Sequence, residues 1–292
     1  MMKKVLITGK NSYIGTSVEK WLLESDDDFT VDTVDTMNDN WKNADFGKYD
    51  VVFHVAGIAH VNAKKSMEAL YYKVNRDLTI EIAKYAKKSG VKQFIFMSSM
   101  IVFHESKSLT REVITKNTKP EPNGFYGNSK LQAENGLHKL DDEQFRVVIL
   151  RPPMIYGPNS KGNFMRLIKL ARITPVFPAY HNKRSMLYID NLCEFIKQII
   201  IREKSGVFYP QNNELADTVE IVKYFAKAYN HKIFMWKWLN IFVHIGSLFL
   251  NSINKMFATY YYDPNMSIYP FEYIVCSQEK SFEYVLNNNE DK

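Results

Sequence analysis

The sequence predicts an α/β protein whose parallel sheet is covered by helices on both faces. Short apolar, β-branched runs such as residues 5–7 and 51–53 are typical of buried strands. Segments with apolar residues at helical spacing, such as residues 14–23 and 70–88, separate these runs. Strands that alternate with helices in this way favour a parallel sheet, because each parallel connection needs a crossover.

The predicted elements follow one another regularly as far as Leu150. The predicted strands are residues 5–7, 29–34, 51–53, 93–97 and 145–150, and the predicted helices are residues 14–23, 70–88, 126–140 and 191–203. The alternation fades after Arg151, where prolines and glycines become frequent. We therefore expect a first domain over residues 1–155, to which residues 176–205 return. Residues 156–292 would form a smaller, mainly substrate-binding region.

The composition is that of a water-soluble globular protein. Hydrophobic residues make up 46% and charged residues 24% of the 292 residues, and the net charge is +6. The lysines and arginines are spread along the chain, so no nucleic-acid partner is expected. The apolar run after Lys4 is too short for a signal peptide, and Lys237, Asn240 and His244 interrupt the apolar residues 233–250.

The cysteines and histidines predict no metal site and no disulfide. Cys193 and Cys276 are far apart, and the seven histidines have no metal-ligand spacing. Both thiols are therefore expected to be structural in a reducing compartment, with a cytoplasmic location. His54 is expected to be structural rather than catalytic.

A glycine-rich turn joins the first strand to the first helix. It runs Thr8-Gly9-Lys10-Asn11-Ser12-Tyr13-Ile14-Gly15. A dinucleotide pyrophosphate binds at such a turn, because glycine permits close backbone approach and the helix N-terminus supplies N–H donors. Ser12 replaces the usual middle glycine and could add a hydroxyl donor. An ordinary strand–helix turn is the alternative, but the position favours a Rossmann-type, doubly wound parallel sheet.

Two aspartates end the second strand, Asp32 and Asp35. A carboxylate at this place hydrogen-bonds the adenosine ribose and repels a 2′-phosphate, which favours NAD over NADP. Asp35 fits better, since it lies twenty residues after Gly15. A solvated turn carboxylate is an equal alternative, so the choice between NAD and NADP stays open, with NAD slightly favoured.

Tyr126 and Lys130 are four residues apart on a predicted helix, so they share one face. A free tyrosine, with a pKa of about 10, is a poor acid or base at neutral pH. A neighbouring ammonium favours its phenolate, which can then exchange a proton with a sugar hydroxyl or carbonyl. Ser98 and Ser99 end the strand 93–97, where a hydroxyl can orient the reacting oxygen.

Five segments together carry a resemblance to a known family. They are ITGKNSYIG, FHVAG, FIFMSSMIVF, FYGNSK and LRPPMIYGP, in this order. Over roughly residues 3–205 the chain resembles the extended short-chain dehydrogenase/reductases, the NAD-dependent epimerase/dehydratase group that acts on nucleotide-diphosphate sugars. Phe103 replaces the family's usual tyrosine, and the segment between the second strand and FHVAG is short.

The resemblance implies a set of site residues. Ser99, Tyr126 and Lys130 would be the catalytic triad, and Ser99, Asn163 and Arg184 would bind substrate. The expected cofactor-binding residues are Gly9, Ser12, Tyr13, Ile14, Gly15, Asp35, Ala56, Gly57, Asn75, Tyr126 and Lys130.

Three functions stay open. A dehydratase needs a further acid and base after the serine, but Met100 and Ile101 are apolar there. The segment that begins LRPPMIYGPNSKGNF resembles bacterial capsule and O-antigen enzymes, and favours reduction at C4 of a UDP-4-keto-6-deoxy-N-acetylhexosamine for surface polysaccharide synthesis. A UDP-N-acetylhexosamine 4-epimerase is the first alternative, and a non-catalytic NAD(P)-binding sensor is the second.

Residues 233–262 are rich in aromatic and aliphatic side chains. They are expected to pack on the first domain, and the alternative is an amphipathic segment that contacts a membrane peripherally. The family resemblance implies a homodimer through the helices 70–88 and 126–140, and a monomer is equally open.

Overall fold

The protein is described by a computed structural model that covers residues 2–59, 64–104 and 108–288. The strands are β1 Lys3–Thr8, β2 Phe29–Val34, β3 Val51–His54, β4 Gln93–Met97, β5 Arg111–Ile114, β6 Arg146–Leu150, β7 Met154–Tyr156, β8 Val176–Pro178, β9 Met186–Tyr188, β10 Gly206–Phe208, β11 Phe234–Trp236 and β12 Thr259–Tyr262. The α-helices are α1 Tyr13–Leu23, α2 Glu68–Tyr71, α3 Thr79–Lys88, α4 Phe125–His138, α5 Asn163–Ile173, α6 Ile189–Ile201, α7 Thr218–Ala228, α8 Asn240–Phe249, α9 Asn251–Phe257 and α10 Gln278–Asn288.

A six-stranded parallel sheet forms the centre of the molecule, with the strand order β10-β6-β4-β3-β1-β2. The chain leaves β1 towards β2 on one side and continues at β3 on the other, so the strand order reverses beside β1. The carboxyl ends of β1 and β3 therefore border a crevice, which is where open α/β sheets bind their ligands. The predicted α/β doubly wound fold is confirmed.

Each predicted strand of the first 150 residues is present, and one predicted helix is interrupted. The helix predicted at 70–88 is interrupted by a π-helical segment, Tyr72–Leu78, between α2 and α3. Between β2 and β3 the chain forms only two 3₁₀ turns, Asp39–Asn43 and Phe46–Lys48, in agreement with the shortness of that segment.

Two large apolar clusters cover the two faces of the sheet. One joins β1, β3 and β6 to α1, α6 and the C-terminal part of the chain. The other packs Trp41 and Phe46 together with α3 and α4 against the opposite face. A third, smaller cluster joins the turn after β4 to β12 through Phe103 and Tyr262.

The C-terminal part of the chain returns to the sheet. Helix α6 packs beside α1, and Trp21 Nε1 donates to Glu194 Oε2 at 3.0 Å. Strand β10 pairs with β6 at the sheet edge, just beyond the expected return segment 176–205. Three two-stranded parallel sheets, β5–β12, β7–β9 and β8–β11, lie outside the central sheet. In the described ranges, no helix is both long and apolar enough to cross a bilayer.

Gly127 lets α4 approach the turn that follows β4. A Cβ at this position would lie 2.6 Å from the Ile101 carbonyl oxygen and 2.7 Å from Pro122 Cβ. The N-terminal turn of α4 is thereby held against the turn that follows β4.

We expect Gly127→Ala to lower the free energy of unfolding by about 1–3 kcal/mol, because the added methyl group overpacks against backbone. Urea denaturation measures this loss. Gly124→Ala is the matched control: a Cβ there meets nothing within 4 Å, so its effect should stay within about 0.5 kcal/mol. Equal effects of the two substitutions would contradict the close approach.

Candidate active site

The glycine turn is built for close packing between β1, α1 and the loop after β3. Gly9 has φ of +106°, and a Cβ on it would lie 2.8 Å from the Ala56 backbone nitrogen. Ser12 is the N-cap of α1, and its Oγ accepts a hydrogen bond from Gly15 N at 3.1 Å. Ser12, which stands in place of the middle glycine, thus caps the N-terminus of α1. Serine is one of the residue types preferred at this position.

Tyr13 and Ile14 pack from this turn against the large cluster that contains α6. A Cβ on Gly157 would lie 2.5 Å from the Tyr13 hydroxyl, so this ring reaches the loop after β7. Burial raises the pKa of Tyr13, which keeps the phenol neutral. The first turn of α1 is therefore in contact with the segment that leads into the second region.

The two aspartates of β2 have different surroundings. Asp32 lies within the strand, and its Oδ2 accepts a hydrogen bond from the Tyr49 hydroxyl at 2.9 Å. Asp35 follows the strand and is exposed, with Oδ1 accepting from Met37 N at 2.9 Å. The other carboxylate oxygen, Oδ2, accepts no hydrogen bond within this turn. Asp35 is therefore better placed than Asp32 to accept hydrogen bonds from ribose hydroxyls.

Asn75 connects the loop after β3 to α4. Its Oδ1 accepts from Ile58 N at 2.8 Å, and its Nδ2 donates to Ile58 O and to Ser129 Oγ, both at 3.1 Å. Gly57 belongs to this loop and is exposed. A Cβ on it would lie 3.1 Å from Asn75 Oδ1 and 3.2 Å from Lys130 Nζ. The Asn75 amide is thus used within the protein, which makes positioning of the Gly57 loop its role in this structure.

Lys130 lies almost completely buried at the end of β4. Its Nζ donates to Met97 O at 2.8 Å and lies 4.6 Å from the centre of the Phe96 ring. Burial lowers the pKa of Lys130 to about 8, against an opposing effect of Glu134. One helical turn earlier, Tyr126 is partly exposed and makes an edge contact with the Tyr71 ring. The ammonium and the phenol therefore lie on the same face of α4.

The two serines after β4 are used differently. Ser99 is partly exposed and caps the 3₁₀ turn Met100–Val102, with Oγ accepting from Ile101 N at 3.3 Å. Ser98 is buried, and its hydroxyl donates to the carboxylate of Glu134. Of the two serines, Ser99 is therefore the one with solvent access, and its role as a catalytic residue stays a prediction.

Glu134, one helical turn after Lys130, forms a buried ion pair with Arg151 that sequence reasoning missed. Arg151 Nη2 and Glu134 Oε2 are 2.5 Å apart, with side-chain exposures of 8% and 1%. Arg151 also donates to Tyr209 Oη at 3.3 Å, and its carbonyl accepts from the Tyr262 hydroxyl at 2.8 Å. The available signal was the glutamate one helical turn after Lys130, together with the arginine of LRPP.

The predicted substrate residues lie on segments that follow β7. Arg184 is part of the segment between β8 and β9, where its backbone bridges to Ala216 and Tyr260, and its guanidinium donates to the Lys255 carbonyl. Burial lowers its pKa to about 10, so it stays cationic at neutral pH. Asn163 is exposed at the first position of α5, after Gly162 with φ of +120°. Their predicted contacts with substrate stay predictions.

His54 belongs to the core. Its Nδ1 is 2.6 Å from Thr8 Oγ1 and its Nε2 is 2.9 Å from Thr79 Oγ1, and the ring stacks between Phe94 and Phe96. Burial, assisted by Lys130, lowers the pKa of His54 to about 3. In the ranges 2–59, 64–104 and 108–288, no group of three or more His, Cys, Asp or Glu side chains is arranged to bind a metal ion; His60 lies outside these ranges.

Comparison with known proteins gives a consistent result. Residues 5–209 match the family described as the NAD dependent epimerase/dehydratase family. The chain is 36% identical over 254 residues to a UDP-glucose 4-epimerase of Vibrio cholerae, covering 78% of this chain and 76% of that protein. It is 34% identical over 137 residues to an N-acetyl-α-D-glucosaminyl-diphospho-ditrans,octacis-undecaprenol 4-epimerase of Escherichia coli O157:H7, covering 45% of this chain and 40% of that protein.

Two solved structures share the fold along nearly the whole chain. The UDP-glucuronic acid 4-epimerase of Bacillus cereus, in complex with NAD, has a TM-score of 0.72 at 19% identity and covers 98% of both chains. A dTDP-4-dehydrorhamnose reductase of Yersinia enterocolitica has a TM-score of 0.73 at 23% identity, covering 97% of this chain and 98% of that one.

The Glu134–Arg151 pair generates a stability prediction. We expect Glu134→Ala to cost about 3–5 kcal/mol of unfolding free energy, because it leaves the Arg151 charge buried and unpaired. Adding Arg151→Met should recover part of the loss. The control is Glu220→Ala at the exposed Lys223–Glu220 pair, which should cost about 0–1 kcal/mol. A loss at Glu134 no larger than at Glu220 would show that the buried pair has no special weight.

His54 generates a pH prediction. The unfolded chain binds a proton at His54 below about pH 6.5, whereas the folded protein does so only near pH 3. The His54 contribution is therefore complete above pH 6.5 and is lost as pH falls from 6.5 towards 3. We expect His54→Gln to remove about 1–2 kcal/mol of the stability difference between pH 7 and pH 5.

Denaturation of wild type, His54→Gln and the exposed control His138→Gln at both pH values tests this. The slope should change only for His54→Gln, and an unchanged slope would mean that His54 is protonated in the folded state.

Proposed function

This chain belongs to the NAD-dependent epimerase/dehydratase family, and we propose that it interconverts the C4 epimers of a UDP-linked hexose or N-acetylhexosamine, with NAD as cofactor. The family membership confirms the resemblance found in the sequence. It also makes the chain an NAD(P)-dependent enzyme of the nucleotide-sugar epimerases and reductases, and disfavours the non-catalytic sensor. The observation that carries the proposal is the Lys130 ammonium, buried at the carboxyl end of β4 one helical turn from Tyr126.

The residues at the crevice fit the cofactor. The close approach of Gly9 to Ala56 leaves a narrow backbone turn at the start of α1, which suits a pyrophosphate. The exposed carboxylate of Asp35 suits the two ribose hydroxyls of NAD and opposes the 2′-phosphate of NADP. When bound, the nicotinamide would accept hydride from C4 of the sugar and return it.

The catalytic side chains would manage the proton that accompanies the hydride. Tyr126 would take a proton from the C4 hydroxyl and later give it back to the keto oxygen, and Lys130 would favour its phenolate by charge. Ser99 would hold the same oxygen by a hydrogen bond, since its hydroxyl is the exposed one of the serine pair. Asn75 would act through the Gly57 loop, and Arg184 and Asn163 would bind the diphosphate of the substrate.

The choice of epimerase over reductase rests on two supports. A relative that is 36% identical over 78% of this chain and 76% of its own length is a UDP-glucose 4-epimerase. An NAD-type carboxylate at β2 also suits an enzyme that recycles its cofactor and needs no outside reductant. The 4-keto reductase of a UDP-4-keto-6-deoxy-N-acetylhexosamine is the second candidate. It is supported by the resemblance of LRPPMIYGPNSKGNF to surface-polysaccharide enzymes, and both reactions would use the same three residues.

Other expectations also remain proposals. We propose the division into a cofactor domain, residues 1–155 with 176–205, and a mainly substrate-binding region, residues 156–292. The homodimer through the helices 70–88 and 126–140, a role in surface polysaccharide synthesis and the cytoplasmic location likewise stay predictions.

One pair of assays separates the two reactions. Purified protein is incubated with UDP-glucose or UDP-N-acetylglucosamine without added reductant, and the products are identified by NMR. We expect the C4 epimer to accumulate to a fixed equilibrium ratio. Oxidation of NADH or NADPH in step with loss of a UDP-4-keto-6-deoxy-N-acetylhexosamine, with no epimer in the first assay, would establish the reductase instead. N-acetylglucosaminyl-diphospho-undecaprenol is added as a further substrate, because the Escherichia coli relative carries that name.

Tyr126→Phe should lower kcat by about 10²–10⁴-fold, because it removes the acid/base hydroxyl and keeps the ring. Binding of NAD, measured by calorimetry, should remain close to that of wild type. Tyr72→Phe is the control for loss of a tyrosine hydroxyl on a neighbouring helical segment and should keep full activity. Turnover that survives in Tyr126→Phe would exclude Tyr126 as the acid/base.

A further inference from the structure

One surface of the second region is unusually apolar. Nine of the eighteen large apolar side chains that are exposed in the described ranges fall between Phe234 and Leu250. We name these nine the apolar face: Phe234, Trp236, Trp238, Ile241, Phe242, Ile245, Leu248, Phe249 and Leu250. Contiguous apolar surface of this kind marks a site of interaction with another apolar partner.

Helix α8 carries the centre of the apolar face. Ile241, Phe242, Ile245, Leu248 and Phe249 recur at helical spacing, so they point to one side, with 51–79% of each side chain exposed. The other side of α8 is already covered. Val243 is buried, Asn240 donates to the Ala179 carbonyl at 3.1 Å, and Gly246 packs at Ile253. The fold therefore uses one apolar side of α8 and leaves a second one in contact with solvent.

Aromatic rings extend the apolar face beyond the helix. The ring centres of Trp236 and Trp238 are 5.6 Å apart, and those of Trp238 and Phe242 are 5.7 Å apart. Strand β11 holds Trp236 in place by pairing with β8. Tryptophan is the residue type most enriched where protein meets the interfacial layer of a bilayer.

The chain segment that carries the apolar face is basic. Residues 221–262 contain no aspartate or glutamate, but five lysines, Lys223, Lys227, Lys232, Lys237 and Lys255, of which Lys223 pairs with Glu220 at 2.8 Å. Lys232 and Lys237 are exposed next to the aromatic rings. Pairing of two copies through this face would bring like charges together, whereas anionic lipid headgroups would balance them.

We propose that the apolar face docks in the interfacial layer of an anionic lipid bilayer. Helix α8 spans ten residues, about 15 Å, so it would lie in the plane of the membrane surface rather than cross it. The lysines would meet the headgroups, and the tryptophans and the exposed side of α8 would reach the acyl boundary. Docking needs no assumption about the reaction that the crevice performs.

The docked face is tied to the predicted substrate site. Arg184 donates to the Lys255 carbonyl in α9, and Asn182 donates to the carbonyls of Met256 and Ala258 at 3.0 and 3.2 Å. Helix α9 in turn packs on α8, with Asn254 donating to the Ser247 carbonyl at 2.9 Å. The membrane would therefore lie close to the segment between β8 and β9 that carries Arg184.

Vesicle flotation of the full chain tests the docking. We expect binding to vesicles of phosphatidylglycerol and phosphatidylcholine, weaker binding at high salt, and little binding to phosphatidylcholine alone. Leu248→Asp/Phe249→Asp should weaken binding at least tenfold. Leu23→Asp/Ile268→Asp is the matched control, since these side chains are also 55% and 73% exposed but lie outside the apolar face; it should bind like wild type.

Tryptophan fluorescence gives a second, direct readout. Brominated lipids should quench part of the emission of wild type, and Trp236→Phe/Trp238→Phe should lose that quenching, because Trp41 is buried and Trp21 lies in α1.

Three outcomes would overturn the proposal: equal binding by the Leu248→Asp/Phe249→Asp variant and wild type, equal binding to charged and neutral vesicles, or no vesicle binding. A dimer that dissociates in Leu248→Asp/Phe249→Asp, without vesicle binding, would assign the face to self-association. Melting curves of all variants verify folding. Because the binding assays need no substrate, failure of docking and failure of the proposed epimerase reaction are separate results.

Discussion

The rest of the site depends on one buried ammonium, that of Lys130. A cation in an apolar surrounding is costly unless its donors are used, and here Nζ donates to the Met97 carbonyl and faces the Phe96 ring. This requirement fixes the rotation of α4 about its own axis, and with it the direction of Tyr126. The neighbouring loop comes close at Gly57, where a Cβ would lie 3.2 Å from Nζ. The carboxyl end of β4, helix α4 and the Gly57 loop thus all pack around Lys130 Nζ.

Much of the fold was predictable because it follows from local periodicity. Buried strands such as β3 and β4 are recognisable as apolar runs. The glycine turn is recognisable because it contains the residue types that a strand–helix junction needs. The placement of the three proposed catalytic residues was predictable for a similar reason: Tyr126 and Lys130 are close in sequence, and Ser99 directly follows a strand. Family resemblance then supplied the order of the segments.

What escaped prediction depends on contacts between distant segments. The Glu134–Arg151 pair joins residues on α4 and after β6, and neither residue type alone indicates burial. The local sequence pattern did not show that the Ser98 hydroxyl would donate a hydrogen bond to Glu134. It also did not show that the Asn75 side-chain amide would form hydrogen bonds with Ile58 and Ser129. Residues 233–262 were expected to pack on the first domain, with a peripheral membrane contact as the alternative. Periodicity alone could not show which side of α8 the chain covers: Val243 is buried, whereas Ile241 and Phe249 are exposed.

Arg151 has a consequence for how the molecule holds together mechanically. Its guanidinium binds Glu134 on the catalytic helix and Tyr209 in the second region, and its carbonyl receives the hydroxyl of Tyr262. Separation of these segments would remove hydrogen-bond partners from the Arg151 guanidinium, which is buried and therefore poorly accessible to water. Residues on α4, in β12 and just after β10 are therefore joined through one buried cation, so that a thermal fluctuation that moves Tyr209 or Tyr262 would also disturb Glu134 and α4, the helix that carries Tyr126.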